Sequence, residues 1–141
     1  MTGTRPHLEP GPDHPITVEP AGRRVTVRAG AEVIADTGRA VELREASYPP
    51  VLYIPLEDVD GNRLRPSDLH TYCPYKGEAS YFDIVAEAGP GMEGAVWYYP
   101  DPYPAVSRIK GMVAFYPDRV SIESIPGDGA GSAAGSPHPG S

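Results

Sequence analysis

Short runs of alternating apolar and polar residues dominate the middle of the chain. The run RRVTVRA (23–29) alternates valine with polar residues, and EVIADT (32–37) follows it across Gly30. A period of two places successive side chains on opposite faces of an extended backbone, which is the pattern of a half-buried β-strand. Because a glycine between two such runs indicates a turn, the pattern predicts a β-hairpin.

Further runs of the same kind predict more strands along the chain. They are GRAVELREA, PPVLYIP, EASYFDIVAE, GAVWYYP, MVAFY and RVSIESI. EASYFDIVAE and GAVWYYP are predicted to pair antiparallel. The stretch LEDVDGNRLRPSDL (56–69) is predicted to be mostly loop, because Asp60, Gly61 and Asn62 form a strong tight-turn signal. One helical turn is predicted over PAVSRIKG, where Pro104 can open a helix and Gly111 can end one.

Roughly eight short strands with little helix predict an all-β domain of short antiparallel strands, arranged as two small sheets or a partly open barrel. The 18 prolines and 16 glycines of the 141 residues agree with a turn-rich fold built around a single core. Composition divides the chain into a flexible segment (1–13), the β-domain (14–125) and a disordered tail (126–141), since the tail PGDGAGSAAGSPHPGS has almost nothing to bury.

Charge and cysteine content narrow the classes of partner and compartment. Nineteen acidic against 12 basic residues give a net charge of -7, which repels phosphate backbones and anionic lipid, so neither nucleic acid nor a membrane is an expected partner. No apolar stretch approaches the about 20 residues needed to span a bilayer. One cysteine cannot form an internal disulfide, and the first residues lack the apolar run of a secretion signal, so a cytoplasmic protein is expected. A monomer and a homodimer both remain open.

Residues with reactive side chains crowd into the stretch TYCPYKGEASY (71–81). It is predicted to be a stiff loop entering a strand, because Pro74 fixes one φ angle and Gly77 permits a positive one. Cys73 has two interpretations. It is a nucleophile assisted by Lys76, with His70 as the histidine nearest in sequence, or it is a small buried apolar residue, which is the commoner role of a lone cysteine.

Lys76 also has two interpretations, a solvated surface lysine or a cation directed into a pocket. Glu45, at the end of a predicted strand, is its expected partner, because a partly buried carboxylate must be paired. Nine tyrosines against two phenylalanines supply an excess of hydroxyl groups. Alternation along AVWYYP places Trp97 and Tyr99 on one face. These features predict a pocket with aromatic walls for a polar or planar ligand.

The sequence motifs for a metal site or a phosphate-binding site are weaker than those for the aromatic pocket. Asp58 and Asp60 have the spacing of the paired carboxylates that hold Mg²⁺ in nucleotide transferases, but no Gly-Ser element precedes them. The sequence also has no Gly-rich phosphate loop ending in Lys-Ser or Lys-Thr. One cysteine and scattered histidines do not provide the closely spaced ligands of a zinc site, so no metal site is predicted. The cofactor, if there is one, is unknown.

The order of these stretches resembles a known bacterial family. RRVTVRAGAEVIADTGRAVELRE, PPVLYIPLEDV, TYCPYKGEASYFDI, AVWYYPDPYP and GMVAFY are similar to the domain of unknown function family 427 over residues 14–123. The resemblance implies a β-tent fold and a nucleotidyltransferase-like label. The family's recurring positions correspond here to Glu45, Tyr53, Asp58, Thr71, Cys73, Lys76, Gly77, Tyr81, Trp97 and Tyr99.

The leading hypothesis is a small-molecule-binding β-domain, which becomes an enzyme if Lys76, Glu45 or Cys73 is catalytic. The residues expected to bind the ligand are Tyr53, Thr71, Gly77, Tyr81, Trp97, Tyr99 and Asp58. Nucleotide transfer, in the transferase class that the family label suggests, is one alternative. Thiol chemistry at Cys73 and a non-catalytic module that dimerises through exposed aromatic residues are the others.

Overall fold

The strands of the protein follow the alternating runs of its sequence. The computed structural model describes residues 6–85 and 91–126. These ranges contain the strands β1 (Ile16–Pro20), β2 (Arg23–Ala29), β3 (Glu32–Thr37), β4 (Val41–Glu45), β5 (Val51–Pro55), β6 (Leu64–Cys73), β7 (Gly77–Ile84), β8 (Met92–Tyr98), β9 (Met112–Phe115) and β10 (Ser121–Pro126). They also contain three 3₁₀ helices, Leu56–Asp58, Gly61–Arg63 and Pro104–Ile109.

The strands form two antiparallel sheets. The larger sheet has seven strands in the order β1-β4-β5-β9-β8-β7-β6, and the smaller has three in the order β10-β2-β3. The predicted pairs β2–β3 and β7–β8 are both present. Gly30, with φ at +64°, makes the turn between β2 and β3 in a conformation that other residues rarely adopt. The prediction of an all-β domain with two sheets is confirmed.

The larger sheet contributes buried residues to a core on each of its faces, because successive residues of each strand point to opposite sides. On one face Ile54 and Val113 pack with Val25 and Val27 of the smaller sheet. We call this the inter-sheet core; it comprises Val25, Val27, Ile34, Ala35, Ala40, Ile54, Val59, Ile84, Ala95, Val96, Val113, Phe115 and Val120. The opposite face holds the aromatic core, which comprises Val18, Val41, Leu43, Tyr53, Ala79, Tyr81, Tyr99, Val106, Ile109 and Ala114.

Strong curvature of the larger sheet brings strand β4 close to the turn before β7. Three strands, β5, β9 and β8, lie between β4 and β7 in the sheet. In a flat sheet this separation would be about 19 Å, which is too far for two side chains to bridge. Glu45 Oε1 at the end of β4 nevertheless lies 2.5 Å from Lys76 Nζ. The sheet therefore curls, and the aromatic core lies on its concave face.

Two sequence predictions about local structure are wrong. The loop predicted over 56–69 ends at Arg63, because β6 begins at Leu64. Strand β6 tolerates Pro66 because it lies at the edge of the sheet and its register shifts between Pro66 and His70. The stiff loop predicted over 71–81 is a β-hairpin, in which only Pro74–Lys76 form the turn. The helical turn opened by Pro104 is present as a 3₁₀ helix.

The division of the chain into flexible ends and a folded centre stays a prediction. Residues 1–5 and 127–141 lie outside the described ranges. The residues from Pro6 onward contact the domain, since the Tyr72 hydroxyl donates to the Pro6 carbonyl at 2.5 Å and the Leu8 amide donates to the Pro74 carbonyl at 3.0 Å. Across 6–85 and 91–126, no helix has the length and apolar character needed to cross a membrane.

Candidate functional site

A pocket of about 240 Å³ opens beside the aromatic core, on the concave face of the larger sheet. Strands β4, β5, β7 and β8 contribute to its wall, together with the turns that follow β4 and β6. The residues that line it are Leu43, Glu45, Tyr48, Pro49, Val51, Tyr53, Lys76, Tyr81, Trp97, Tyr99 and Tyr116.

The period of two explains why strands β4 and β5 contribute these side chains. Val41, Leu43 and Glu45 share one face of β4, and the first two belong to the aromatic core. The same face therefore carries a carboxylate where the strand ends at the pocket. On β5, Val51 and Tyr53 share a face in the same way.

One end of the pocket is a network of charged side chains centred on Glu45. Glu45 Oε1 accepts a hydrogen bond from Lys76 Nζ at 2.5 Å, and Glu45 Oε2 accepts one from His14 Nε2 at 2.7 Å. The side chains of Glu45 and Lys76 are only 14% and 10% exposed. Burial alone would raise the pKa of Glu45, but the hydrogen bonds from Lys76 and His14 more than offset it and hold that pKa below its ordinary value. The carboxylate is thus ionised, with both oxygens occupied.

Strand pairing positions His14, which the sequence analysis did not select. His14 lies two residues before β1, and β1 pairs with β4 so that Ile16 is opposite Glu45. The imidazole stacks on the Tyr75 ring with 4.0 Å between centroids. His14 and Glu45 are 31 residues apart in the sequence, so only the β1–β4 pairing could have connected them.

The turn that carries Lys76 is fixed by backbone hydrogen bonds. The Lys76 amide donates to the Cys73 carbonyl at 3.2 Å, and the Tyr103 amide donates to the Lys76 carbonyl at 3.0 Å. Gly77 follows with φ at +112°, and a Cβ atom at this position would lie 3.4 Å from the Asp101 carbonyl oxygen. A larger residue would strain the backbone here, so Gly77 helps to hold Lys76 toward the pocket.

Aromatic contacts stiffen the opposite wall of the pocket. Trp97 Nε1 donates a hydrogen bond to the Tyr53 hydroxyl at 3.1 Å. The Trp97 ring also packs edge-on against the Tyr53 ring, with 6.3 Å between centroids. It packs at a tilt against the Tyr116 ring, with 4.5 Å between centroids. The Tyr81 hydroxyl is hydrogen-bonded to Thr71 Oγ1 at 2.9 Å. These contacts fix the ring orientations before any ligand enters.

Burial keeps the tyrosine hydroxyls of this wall protonated. Tyr53 is 1% exposed and Tyr99 is 6% exposed, and burial raises the pKa of both hydroxyls well above the ordinary value. For Tyr116, burial and then the hydrogen bond with Tyr81 raise the pKa to about 12. These tyrosines therefore carry neutral hydroxyl groups.

Comparison with family models shows the family of this chain. The model of a domain of unknown function (DUF427) matches residues 17–125, which is most of the chain. This chain belongs to the DUF427 family. The matched range contains every residue that lines the pocket but begins after His14. No curated protein matches the sequence. The family's description leaves function open, although its label refers to nucleotidyl transfer.

The DUF427 structure brings together six of the residues that the sequence analysis selected. Those that line the pocket are Glu45, Tyr53, Lys76, Tyr81, Trp97 and Tyr99. Three others lie behind the wall. Thr71 supports Tyr81, Cys73 packs half-buried against the aromatic core, and Gly77 shapes the turn. Neither Cys73 nor Thr71 is among the lining residues.

Asp58 does not line the DUF427 pocket, and its role as a ligand-binding residue stays a prediction. Its carboxylate accepts hydrogen bonds from Thr37 Oγ1 at 2.6 Å and from Arg39 Nη2 at 3.1 Å. The hydrogen bond from Thr37, and then the Arg39 guanidinium, hold the pKa of Asp58 below its usual range. Asp60 instead accepts from the Asn62 amide at 3.0 Å and caps a 3₁₀ helix. Each of the two carboxylates therefore has a local structural role.

Sequence reasoning also missed several lining residues of the DUF427 pocket. Leu43 lies on the same face of β4 as Glu45, and Val51 lies on the same face of β5 as Tyr53. The alternation of each strand could therefore have identified them. Tyr116 lies one residue beyond β9, where its amide donates to the Ala95 carbonyl at 3.1 Å.

In the described part of this chain, no three His, Cys, Asp or Glu side chains are grouped so that they could hold a metal ion.

Proposed function

We propose that this DUF427 domain binds a small planar molecule in the pocket beside the aromatic core. The observation that carries the proposal is one concavity with rigid aromatic walls and the Glu45–Lys76 pair at one end. Ligand sites typically combine a mostly apolar wall with a few fixed polar groups. The pocket volume of about 240 Å³ lies below the about 300–1,000 Å³ typical of sites for drug-sized ligands, which favours a molecule of one or two rings.

The arrangement of the rings supports a flat ligand. Trp97 is held by Tyr53 on one side and by Tyr116 on the other, so its orientation is fixed in advance. Aromatic groups prefer offset or edge-to-face contacts at about 4.5–7 Å between centroids, and a planar ring can make such contacts with several walls at once. Tyr48, which is 63% exposed, lies at the edge of the pocket.

Nucleotide transfer and thiol chemistry gain no support from the geometry. The family label favours the first, but Asp58 and Asp60 are engaged away from the pocket. Cys73, which thiol chemistry would require, does not line the pocket. We propose that this bacterial protein acts in the cytoplasm, in agreement with its single cysteine. The net charge of -7 agrees with a small-molecule partner rather than nucleic acid or a membrane.

Nuclear magnetic resonance on the ¹⁵N-labelled chain tests the proposal directly. Trp97 is the only tryptophan, so the spectrum contains a single indole N–H signal, and that group lies on the pocket wall hydrogen-bonded to Tyr53. We expect members of a library of one-ring and two-ring compounds to shift this signal in a saturable way. If no compound shifts it up to the solubility limit, the proposed function is wrong.

A pair of variants separates binding in the pocket from binding elsewhere. Val51→Phe adds bulk inside the pocket, whereas Val33→Phe adds the same bulk to a side chain that is 45% exposed on β3. We expect the first variant to lose the compounds that shift the Trp97 signal and the second to retain them. Equal retention by both variants would place the binding outside this pocket and would contradict the proposal.

A further inference from the structure

The pocket offers more hydrogen-bond donors than acceptors, and this imbalance indicates the chemistry of its ligand. The inference rests on the proposed function, because it names the class of molecule that the same pocket receives. The groups that carry it are the hydroxyls of Tyr99 and Tyr53 and the ammonium of Lys76, all of which line the pocket.

Tyr99 is a largely buried residue of the pocket wall. The residue is 6% exposed, and its hydroxyl makes no hydrogen bond with any group in residues 6–85 and 91–126. Buried polar groups in proteins are nearly always hydrogen-bonded, and a group left unsatisfied destabilises the fold. Because burial raises its pKa, the Tyr99 hydroxyl stays protonated and is available as a donor. A ligand in the pocket can supply the missing acceptor.

Tyr53 and Lys76 have unused donor hydrogens as well. The indole N–H of Trp97 can only donate, so the Tyr53 hydroxyl accepts that bond and keeps its own hydrogen free. An ammonium group has three donors, and Lys76 Nζ uses one of them for Glu45. Tyr53 and Glu45 also lie close enough to Tyr99 to contribute, after burial, to raising its pKa. All three donors therefore belong to residues that line the same pocket.

The acceptor groups at the charged end of the pocket already take part in hydrogen bonds within the protein. Each oxygen of Glu45 accepts one hydrogen bond, one from Lys76 and one from His14, and the Lys76 ammonium offsets its negative charge. The hydroxyls of Tyr81 and Tyr116 are hydrogen-bonded to one another, and Tyr81 is also bonded to Thr71. A ligand that brought only donors to this end would have to share Glu45 with Lys76 and His14.

We propose that the natural ligand is a small planar carboxylate whose oxygens accept hydrogen bonds from Tyr53, Tyr99 and Lys76. A carboxylate has two oxygens with about four acceptor sites, so it can use all three donors at once. Hydrogen bonds to an ionised acceptor are about twice as strong as those between neutral groups, and one of these donors is itself charged. The ring of the ligand then lies against Trp97 and the neighbouring tyrosines.

Titration with three compounds that share one ring tests this inference on the unmodified chain. Benzoate, benzamide and benzyl alcohol are each added while the Trp97 indole N–H signal is followed. We expect benzoate to bind at least about tenfold more tightly than either neutral compound, as hydrogen bonds to a charged acceptor predict. Similar affinities for all three would overturn the carboxylate inference and leave the proposed function intact. Binding of none of them, together with a silent compound library, would overturn both.

A variant pair tests the donor role of Tyr99. Tyr99→Phe removes the hydroxyl and keeps the ring, and we expect it to weaken benzoate binding about tenfold while benzyl alcohol binding changes less than about twofold. Tyr98→Phe is the matched control, because Tyr98 stacks on Phe82 at 4.7 Å on the inter-sheet side of β8 and should leave both affinities unchanged. Unchanged benzoate affinity in Tyr99→Phe would remove Tyr99 from the carboxylate site.

Discussion

The two faces of the seven-stranded sheet are built from alternate residues of the same strands, yet they differ in chemistry. On the inter-sheet face, Ile54 and Val113 belong to a core that, Phe115 apart, is aliphatic. On the concave face, the neighbouring residues Tyr53 and Ala114 belong to a core with three tyrosines and a pocket beside it. One face is closed by a second sheet, whereas the other stays partly open.

This difference indicates that the concave face is not optimised for stability. Protein interiors are packed as densely as organic crystals, and an unfilled space forfeits contacts. The Tyr99 hydroxyl has no hydrogen-bond partner among the described residues, and the buried Glu45–Lys76 pair must offset the desolvation of two charges. Such features are expected where binding, rather than packing, determines the choice of residues.

Removing side-chain volume should destabilise the inter-sheet face far more than the concave face. Ile54 is 1% exposed in the inter-sheet core, and we expect Ile54→Ala to lower the free energy of unfolding by about 4 kcal/mol. Val51 lies half-buried at the pocket, so Val51→Ala should lower it by about 1 kcal/mol or less. Urea denaturation measures both values. Equal losses would mean that the two faces are packed alike.

The two lysines of the chain provide a matched test of the charged end. Lys76→Met leaves Glu45 buried with only His14 as a partner, and we expect it to lower the free energy of unfolding by about 3 kcal/mol, near the lower end for breaking a buried ion pair. Lys110 is exposed, so Lys110→Met should change stability by less than about 0.5 kcal/mol. A similarly small effect at Lys76 would show that the pair contributes nothing to the fold.

The dependence of stability on pH should depend on Glu45. Its pKa in the folded state lies below the ordinary value of 4.5, so its stabilising contribution is complete above that pH and disappears as the pH falls through the folded-state pKa. The difference in unfolding free energy between the natural chain and Glu45→Gln should therefore narrow as the pH falls below about 4.5 and through the folded-state pKa of Glu45. Glu19→Gln, at an exposed position on β1, is the control and should show no such narrowing.

The smallest predicted effects differ in sign. Tyr99→Phe removes an unpaired buried hydroxyl, so we expect the free energy of unfolding to stay the same or rise by up to about 1 kcal/mol. Tyr81→Phe leaves Thr71 without its 2.9 Å partner and should lower it by about 1 kcal/mol. Thermal unfolding of the natural chain and of both variants measures the two changes in stability. A clear loss of stability in Tyr99→Phe would mean that its hydroxyl has a partner in the protein.

Much of the fold could be predicted because alternation is a local signal. The hairpins β2–β3 and β7–β8 were each visible as two runs joined by turn residues. The aromatic face of β8 followed from strand parity, and a partner for Glu45 was expected because a partly buried carboxylate must be paired. Strand β6 was hidden, because Pro66 and the tight turn before it imitate a loop.

The parts of the site that could not be predicted depend on long-range geometry. His14 reaches Glu45 only because β1 pairs with β4, and the curl of the larger sheet closes the distance between β4 and Lys76. The spacing of Asp58 and Asp60 also could not show that Thr37 and Arg39 already bind the Asp58 carboxylate. Single-sequence patterns fix which side chains share a face of one strand, but not which strands meet across a curved sheet.

A crystal structure of the protein soaked in benzoate tests the central claim most directly. We expect the benzoate ring to lie against Trp97 and Tyr99, with a carboxylate oxygen within about 3 Å of Lys76 Nζ. An empty concave face with benzoate bound only at other surfaces would contradict the account, as would a pocket filled by the protein's own side chains.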